Sequence, residues 1–457
     1  MCVDGSSIGH RGRITLRRTS LRRLAALALS AVTLVGGLVA VQAPAAAVPA
    51  GFDHTIYWNN VLLKTYRAVG GPPTVLSRAG AMMHLAMYDA SASLSSGPTY
   101  LARVAPVPNF SYDVDMNVDM AAFKVLQSVF PSRDFTADYQ GSRVYPPVGS
   151  PGPEGWSTSV GEGAAQNMIN ARANDGSANN TAYTPTIVAG QWRPTEAGTS
   201  AASPNWGRVK PFGLTSGSQF RPSLPGGFST ITTMLTSSAY AAQVKDVREL
   251  GAATGSTRTA DQTQAAFFWA NDLDGTYKPP GQLFAHTQII AKAKGTPTIK
   301  LFALVAMAMA DAAIAAWDAK YETTIDLWRP DTAIEEPQDD GNAATTPNAA
   351  WQPLSTAADG THFSPNFPAY ISGHATFAGA WAGIMKRFYG TDAVTFTATT
   401  EDPKAVGVQR TFTSFSAAAN ENALSRLWLG VHYRWDADAG LATGDAVANR
   451  VFATYLR

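Results

Sequence analysis

A chain of 457 residues with a net charge of +1 and only 15% charged residues offers no bulk electrostatic attraction for a polyanion, which argues against nucleic-acid binding. The length admits one large or two ordinary domains, and 45% hydrophobic residues with abundant alanine read as a globular, helical protein. The single cysteine, Cys2, lies in a segment expected to be removed, so disulfide and thiol chemistry are excluded from the mature protein.

Residues 1–47 read as an export signal. Six arginines between Arg11 and Arg23 precede an apolar stretch from Leu24 to Val41, and Ala45-Ala46-Ala47 offers a small-residue cleavage site. The Arg17-Arg18-Thr19-Ser20-Leu21 run points to the twin-arginine route, with an ordinary Sec signal as the alternative, and predicts a secreted, extracellular protein. A membrane anchor is disfavoured by the Gly36-Gly37 interruption and the cleavage site.

The spacing of apolar residues predicts helices over 78–94, capped by Ser77, then 114–130 and 157–175. His84 and Asp89 read as buried polar groups satisfied within a bundle. Residues 176–227, rich in Gly, Pro, Ser, Thr and Asn, read as loop anchored by Trp192 and Trp206. Helices resume at 230–250 and 260–270. Asn271 to Gly275 resembles half a calcium loop but lacks the later ligands, so a turn is expected there. His286 reads as structural.

The most apolar helix spans 299–321, where Lys300, Asp311 and the preponderance of alanine favour a buried bundle helix over a membrane span. Residues 335–362 form an acidic, polar loop. A helix enters near Ser372 and stops at Gly390, residues 391–410 hold short strands or loop, and helices over 413–428 and 435–455 close the chain. The expected architecture is all-α, with two halves resembling four-helix bundles: 48–227, then 228–457 carrying the site.

Three short stretches of that second half hold the chemistry: residues 320–330, Ser372-Gly373-His374, and residues 425–436. They supply Lys320, Arg329 and Arg426 as cations, Ser372 and the Gly373 N–H as neutral donors, and the imidazoles of His374 and His432. Guanidinium forks, an ammonium and N–H groups at a helix start are the donors that hold a tetrahedral oxyanion. His432 and Asp436 are four apart, so on a helix they share a face, and the carboxylate fixes the imidazole tautomer. Gly430 breaks the helix between Arg426 and His432, letting both turn into one pocket. Phe363 and Phe367 are candidates for its lining.

These blocks resemble the signature shared by vanadium-dependent haloperoxidases and type 2 phosphatidic acid phosphatases: Lys-x6-Arg-Pro, Pro-Ser-Gly-His and Ser-Arg-x5-His-x3-Asp. The third block matches at every named position. The first has eight residues rather than six between Lys320 and Arg329, and the second has Ile371 in place of Pro. Two extra residues would rotate a helical lysine by about 200°, so Lys320 reaches the site only if they form a bulge or lie past the helix end. Trp328-Arg329-Pro330, the Pro368-to-His374 run and the Ala81-to-Ala90 run are most similar to the bacterial haloperoxidase-like branch.

The resemblance implies vanadate as cofactor, held by Lys320, Arg329, Ser372, Gly373 and Arg426, with His432 as the vanadium ligand, backed by Asp436. His374 is then the acid/base, and Lys320 polarises bound peroxide. Peroxide, halide and an organic acceptor are the implied small-molecule partners, with no membrane span in the mature protein. Two alternatives stay open. In a secreted phosphatase, His432 is the nucleophile, a substrate phosphate fills the same pocket and no cofactor is needed. In a non-catalytic oxyanion-binding protein, the pocket survives without productive geometry.

Overall fold

The computed structural model describes residues 51–142, 155–196, 198–337 and 340–457. The expected export signal lies outside them. The described residues fold into fourteen α-helices and one two-stranded antiparallel sheet, so the fold is all-α as expected.

In chain order the helices are α1 (His54–Val69), α2 (Pro73–Ser95), α3 (Val114–Val129), α4 (Thr136–Ser142), α5 (Ser159–Arg172), α6 (Ile231–Leu235), α7 (Ser238–Leu250), α8 (Ala260–Phe268), α9 (Lys278–Lys294), α10 (Thr298–Tyr321), α11 (Pro330–Glu335), α12 (Gly373–Tyr389), α13 (Phe415–Trp428) and α14 (Arg434–Thr454). Strand β1 (Phe396–Thr399) pairs with β2 (Gln409–Phe412) between α12 and α13.

Two local expectations are corrected. Helix α2 begins five residues before the predicted start, because Pro72 takes the extended N-cap geometry and Pro73 follows as the first helical residue, where a missing N–H costs nothing. Ser77 is inside the helix and donates back to the Thr74 carbonyl at 2.8 Å. The helix predicted over 230–250 is two helices, since the Ser237 side chain accepts from the Tyr240 N–H and starts α7 afresh.

Helix α10 is the centre of the core. It is long and apolar enough to cross a membrane, yet 89% of its most apolar window is buried inside the protein, against α2, α12 and α14. Alanines on every side let those helices approach closely, which explains an apolar helix without a lipid-facing stripe. Of its two buried acids, Asp318 pairs with Arg221 at 2.7 Å, and Asp311 accepts from the backbone N–H groups of Phe212, Gly213 and Leu214 at 2.7, 2.6 and 2.9 Å. Burial still pushes the Asp311 carboxyl up to about 6. Through these bonds the 176–227 segment is tied to the core, with Trp192 and Trp206 buried as its anchors.

Helices α12 and α14 touch backbone to backbone. A Cβ on Gly444 would sit 2.3 Å from the Thr376 carbonyl oxygen, and one on Gly379 would sit 2.5 Å from that of Leu441. This contact brings the starts of both helices together, and the site is built there.

Candidate active site

The first block ends α10. Lys320 lies in the last turn of that helix, and residues 322–329 leave it as turn and extended chain, so the two extra residues fall past the helix end and no rotation of Lys320 against Arg329 follows. This segment is held from two sides: the Trp192 N–H donates to the Asp326 carbonyl at 2.6 Å, and the Ala369 N–H to that of Leu327 at 2.8 Å. The second of those bonds ties the first block to the chain leading into the second. Lys320 Nζ donates to the carbonyls of Pro368 and Ala369 at 2.6 and 3.2 Å, and lies 4.9 Å from the centre of the Phe367 ring.

The second block starts α12. Ser372 is its N-cap, accepting from the Ala375 N–H at 3.4 Å, while its own N–H donates to the Asp436 carbonyl at 3.1 Å. Gly373 opens the helix against Trp317, whose ring would be 3.2 Å from a Cβ there. His374 follows, with Nε2 3.0 Å from the Ala270 carbonyl, so Nε2 carries the proton and Nδ1 the lone pair.

The third block bends where Gly430 was expected to bend it. Gly430 has φ +79°, and a Cβ there would meet the Gly251 carbonyl at 2.6 Å. Arg426 is in the last turn of α13. His432, however, precedes α14 rather than lying on it, which corrects the expected shared helical face. The pairing with Asp436 survives for another reason: Asp436, in the first turn of α14, turns back to accept from the Tyr433 N–H and from His432 Nδ1, both at 3.0 Å. With Nδ1 donating, His432 presents Nε2 as its lone pair, 3.1 Å from Arg329 Nη1.

Around His432 the cations are buried and short of partners. Arg329 donates through Nε to the Phe367 carbonyl at 2.8 Å and through Nη1 to that of Val431 at 2.6 Å. Its Nη2 has no hydrogen-bond partner, nor do Nε and Nη1 of Arg426. Arg426 Nη2 pairs with Asp272 at 2.7 Å. Among the described residues Arg329 has no carboxylate within ion-pair distance. Burial, and then the Arg329 charge, hold the Lys320 ammonium well below the usual lysine range. Burial, with the Arg329, Lys320 and Arg426 charges behind it, lowers His432 well below the usual histidine value. Burial lowers Arg329 to about 10 and raises Asp436 to about 7. Burial and the neighbouring Arg426 take His374 down to about 4. The cluster is thus short of negative charge, and three orphaned guanidinium N–H groups are the donors an oxyanion would satisfy.

A cavity of about 360 Å³ opens onto this cluster, lined by Gly373, His374, Arg426 and His432 with Trp317, Phe363, Phe367 and Phe377 among its apolar neighbours. Sequence reasoning missed Asp272, the counter-ion of Arg426, which also lies 3.9 Å from His374 Nε2. Its signal was visible: it is the second residue of the acidic stretch from Asn271 to Gly275, read as a turn rather than a calcium loop.

Fold and site together define an all-α protein with a buried cationic cleft in which three guanidinium nitrogens have no acceptor. Residues 300–457 match the family model of the VCPO second helical-bundle domain. The vanadium chloroperoxidase of Curvularia inaequalis is 26% identical, over 85% of this chain and 79% of that protein. The fold is shared with a bacterial vanadium-dependent iodoperoxidase (TM-score 0.69, 23% identity, 88% of this chain and 95% of that one). It is shared also with a holo-type bacterial vanadium-dependent chloroperoxidase (TM-score 0.65, 17% identity, 88% and 97%). The family-model match over residues 300–457, the curated relative and the shared fold together support the vanadium haloperoxidase superfamily for this chain.

Proposed function

We propose that this protein is a haloperoxidase that holds vanadate in the cleft and uses hydrogen peroxide to oxidise halide. The observation that carries the reading is the set of orphaned, buried donors, Arg329 Nη2 with Arg426 Nε and Nη1, around a cavity-lining histidine whose Nε2 lone pair accepts only from Arg329 Nη1 at 3.1 Å. Buried guanidinium groups without acceptors cost free energy unless an anion completes them.

In this reading His432 Nε2 would hold the vanadium, and Arg329, Arg426, Lys320, the Ser372 hydroxyl and the Gly373 N–H would hold its oxygens. Bound vanadate supplies a Lewis-acidic centre that activates peroxide toward attack by halide. The chain's own residues prepare that chemistry. Asp436 keeps the proton on His432 Nδ1, so Nε2 remains a ligand. His374, neutral at pH 7 with its Nε2 proton committed to the Ala270 carbonyl, has Nδ1 to take a proton from incoming peroxide and return it to the departing oxygen. Lys320 adds positive charge from behind, aimed by the Pro368 and Ala369 carbonyls. Export belongs to the same proposal, and sequencing the N-terminus of the secreted product tests it.

The experiment is paired. The purified protein is dialysed against chelator in phosphate-free buffer, and bromide and chloride oxidation by peroxide are measured with and without orthovanadate beside phosphomonoester hydrolysis. Halide oxidation that requires orthovanadate is expected. Hydrolysis that orthovanadate inhibits would replace the proposal with the phosphohistidine enzyme, and neither activity would leave an oxyanion-binding protein.

A further inference from the structure

A second cavity, of about 400 Å³, shares a wall with the cleft. Ala202 lines the cleft, whereas Ser200, Ala201 and Ser203 line the second cavity, so the chain at 200–203 is the partition. It is held in place: the Ala202 N–H donates to the Asn366 carbonyl at 2.7 Å, and the Ala202 carbonyl accepts from Trp317 Nε1 at 3.1 Å.

The two cavities differ in chemistry. Asp272, Lys278, His374, Arg426 and His432 line the cleft, while among the described residues no acid, base or histidine lines the second cavity. Asp175, next to its lining residue Gly176, is committed to Arg78 and Arg172 at 2.7 and 2.9 Å. What the second cavity offers is amide and hydroxyl, and the backbone fixes which end of each amide is free. Asn179 Oδ1 accepts from the Thr181 N–H at 3.0 Å, which leaves Nδ2 to donate. Asn205 Nδ2 donates to the Thr181 carbonyl at 2.8 Å, which leaves Oδ1 to accept. Neither amide can be flipped, because an N–H only donates and a carbonyl only accepts. Tyr183 lines the same cavity with its ring pinned, the hydroxyl donating to Asp326 at 2.6 Å and the ring edge-on to Tyr321 at 5.0 Å between centres.

A fixed donor, a fixed acceptor and an aromatic ring in a site without charge complement a neutral ring that carries adjacent hydroxyls on its edge and C–H groups on its face. The volume falls within the roughly 300–1,000 Å³ of small-molecule sites. We propose that this cavity binds a pyranose ring of a neutral saccharide, with Asn179 donating to one hydroxyl, Asn205 accepting from its neighbour and Tyr183 packed on the ring. The site stands apart from the haloperoxidase reading, since it uses none of the cationic residues. A sugar bound there lies one thickness of chain from the cleft.

Calorimetric titration of the whole protein with cellohexaose, laminarihexaose and hexagalacturonate tests this, with glucose beside them. Saturable binding of a neutral hexasaccharide is expected, and none of the anionic hexagalacturonate. Tighter binding of the hexasaccharide than of glucose makes a polysaccharide the ligand, and equal affinity makes it the free sugar; either upholds the site. Asn179→Asp keeps an oxygen for the Thr181 N–H but replaces the free donor by a carboxylate oxygen, so affinity should fall at least tenfold with the melting temperature unchanged. Phe363→Ala, a change in the cleft, should leave sugar affinity as in wild type. No saturable binding of any neutral sugar, wild-type affinity in Asn179→Asp, or weakening in Phe363→Ala equal to that in Asn179→Asp overturns the proposal.

Discussion

Gly444→Ala tests whether the contact between α12 and α14 sets the site. The new Cβ would lie 2.3 Å from the Thr376 carbonyl oxygen, 2.6 Å from the Ala380 nitrogen and 2.9 Å from the Gly379 carbonyl carbon. All three are backbone atoms of a helix and cannot rotate aside. Ordinary contact begins near 3.4 Å, so the helices must part by about 1 Å. Overpacking of this kind costs about 1–3 kcal/mol. The separation acts directly on the bond from the Ser372 N–H to the Asp436 carbonyl, now 3.1 Å, and through Asp436 on the orientation of His432. Misplacement by 1 Å in a preorganised site costs on the order of 100-fold. Orthovanadate affinity, measured by calorimetry well below the melting temperature, should therefore fall by one to two orders of magnitude. Gly390→Ala is the control: its φ of +68° makes alanine unfavourable by about 1 kcal/mol, but nothing lies within 4 Å of its Cβ and it is at the far end of α12. It should lower the melting temperature and leave orthovanadate affinity alone. A Gly444→Ala protein that melts and binds like wild type would refute the backbone-contact argument.

Three further outcomes are expected. His84 is fully buried between Phe284 and Phe302 with neither ring nitrogen hydrogen-bonded, and burial lowers it to about 3 from an ordinary value of 6.5. Because the folded-state value is the lower one, its contribution is complete above pH 6.5 and is lost as pH falls toward 3; Phe at position 84 removes that loss, so urea unfolding should show His84→Phe gaining about 2 kcal/mol over wild type between pH 8 and pH 5. Asp272→Asn leaves the buried Arg426 without a carboxylate and should cost about 2 kcal/mol in anion-free buffer, less than a fully buried pair because Asp272 is 24% exposed; saturating orthovanadate should recover most of that loss, seen as a larger rise in melting temperature than wild type gives. Arg426→Lys keeps the charge but removes the two orphaned fork donors, and at least a tenfold weakening of orthovanadate binding by calorimetry is expected.

The site was legible in the sequence where chemistry forces residue types, and less so where packing decides geometry. Arg329, Arg426, His374 and His432 could be grouped from the sequence because no bland reading explains so many cations and imidazoles at those offsets; the structure lines one cavity with the last three and sets Arg329 against His432 behind it. The turn at Gly430 was readable for the same reason: only glycine tolerates a left-handed φ pressed against the Gly251 carbonyl. Asp272 was not, because its partner is 154 residues away and its local sequence looks like an ordinary acidic turn. Nor was the start of α2, where two prolines that read as loop serve as a helix entrance. The break at Ser237 escaped because apolar periodicity runs across a cap without interruption, and only the hydrogen bond from the Tyr240 N–H marks it.

The three blocks share one structural property that explains why such short stretches suffice. Each is a helix terminus. Lys320 and Arg426 stand in the last turns of α10 and α13, where a cation offsets the partial negative charge of the helix end. Ser372 and Gly373 begin α12, and His432 leads directly into α14, so the partial positive ends of two long helices stand at the cleft. The helices between need only the right length and packing, which leaves their sequences free to vary. It also explains why two extra residues between Lys320 and Arg329 are tolerated. They lengthen a connection whose far end is fixed by strand-like pairing of Leu327 with Gln191 and by the bond from the Ala369 N–H to the Leu327 carbonyl, rather than by the phase of α10. A two-residue insertion within α10 itself, between Trp317 and Lys320, has no such slack: it would swing the ammonium by about 200° and remove it from the Pro368 and Ala369 carbonyls.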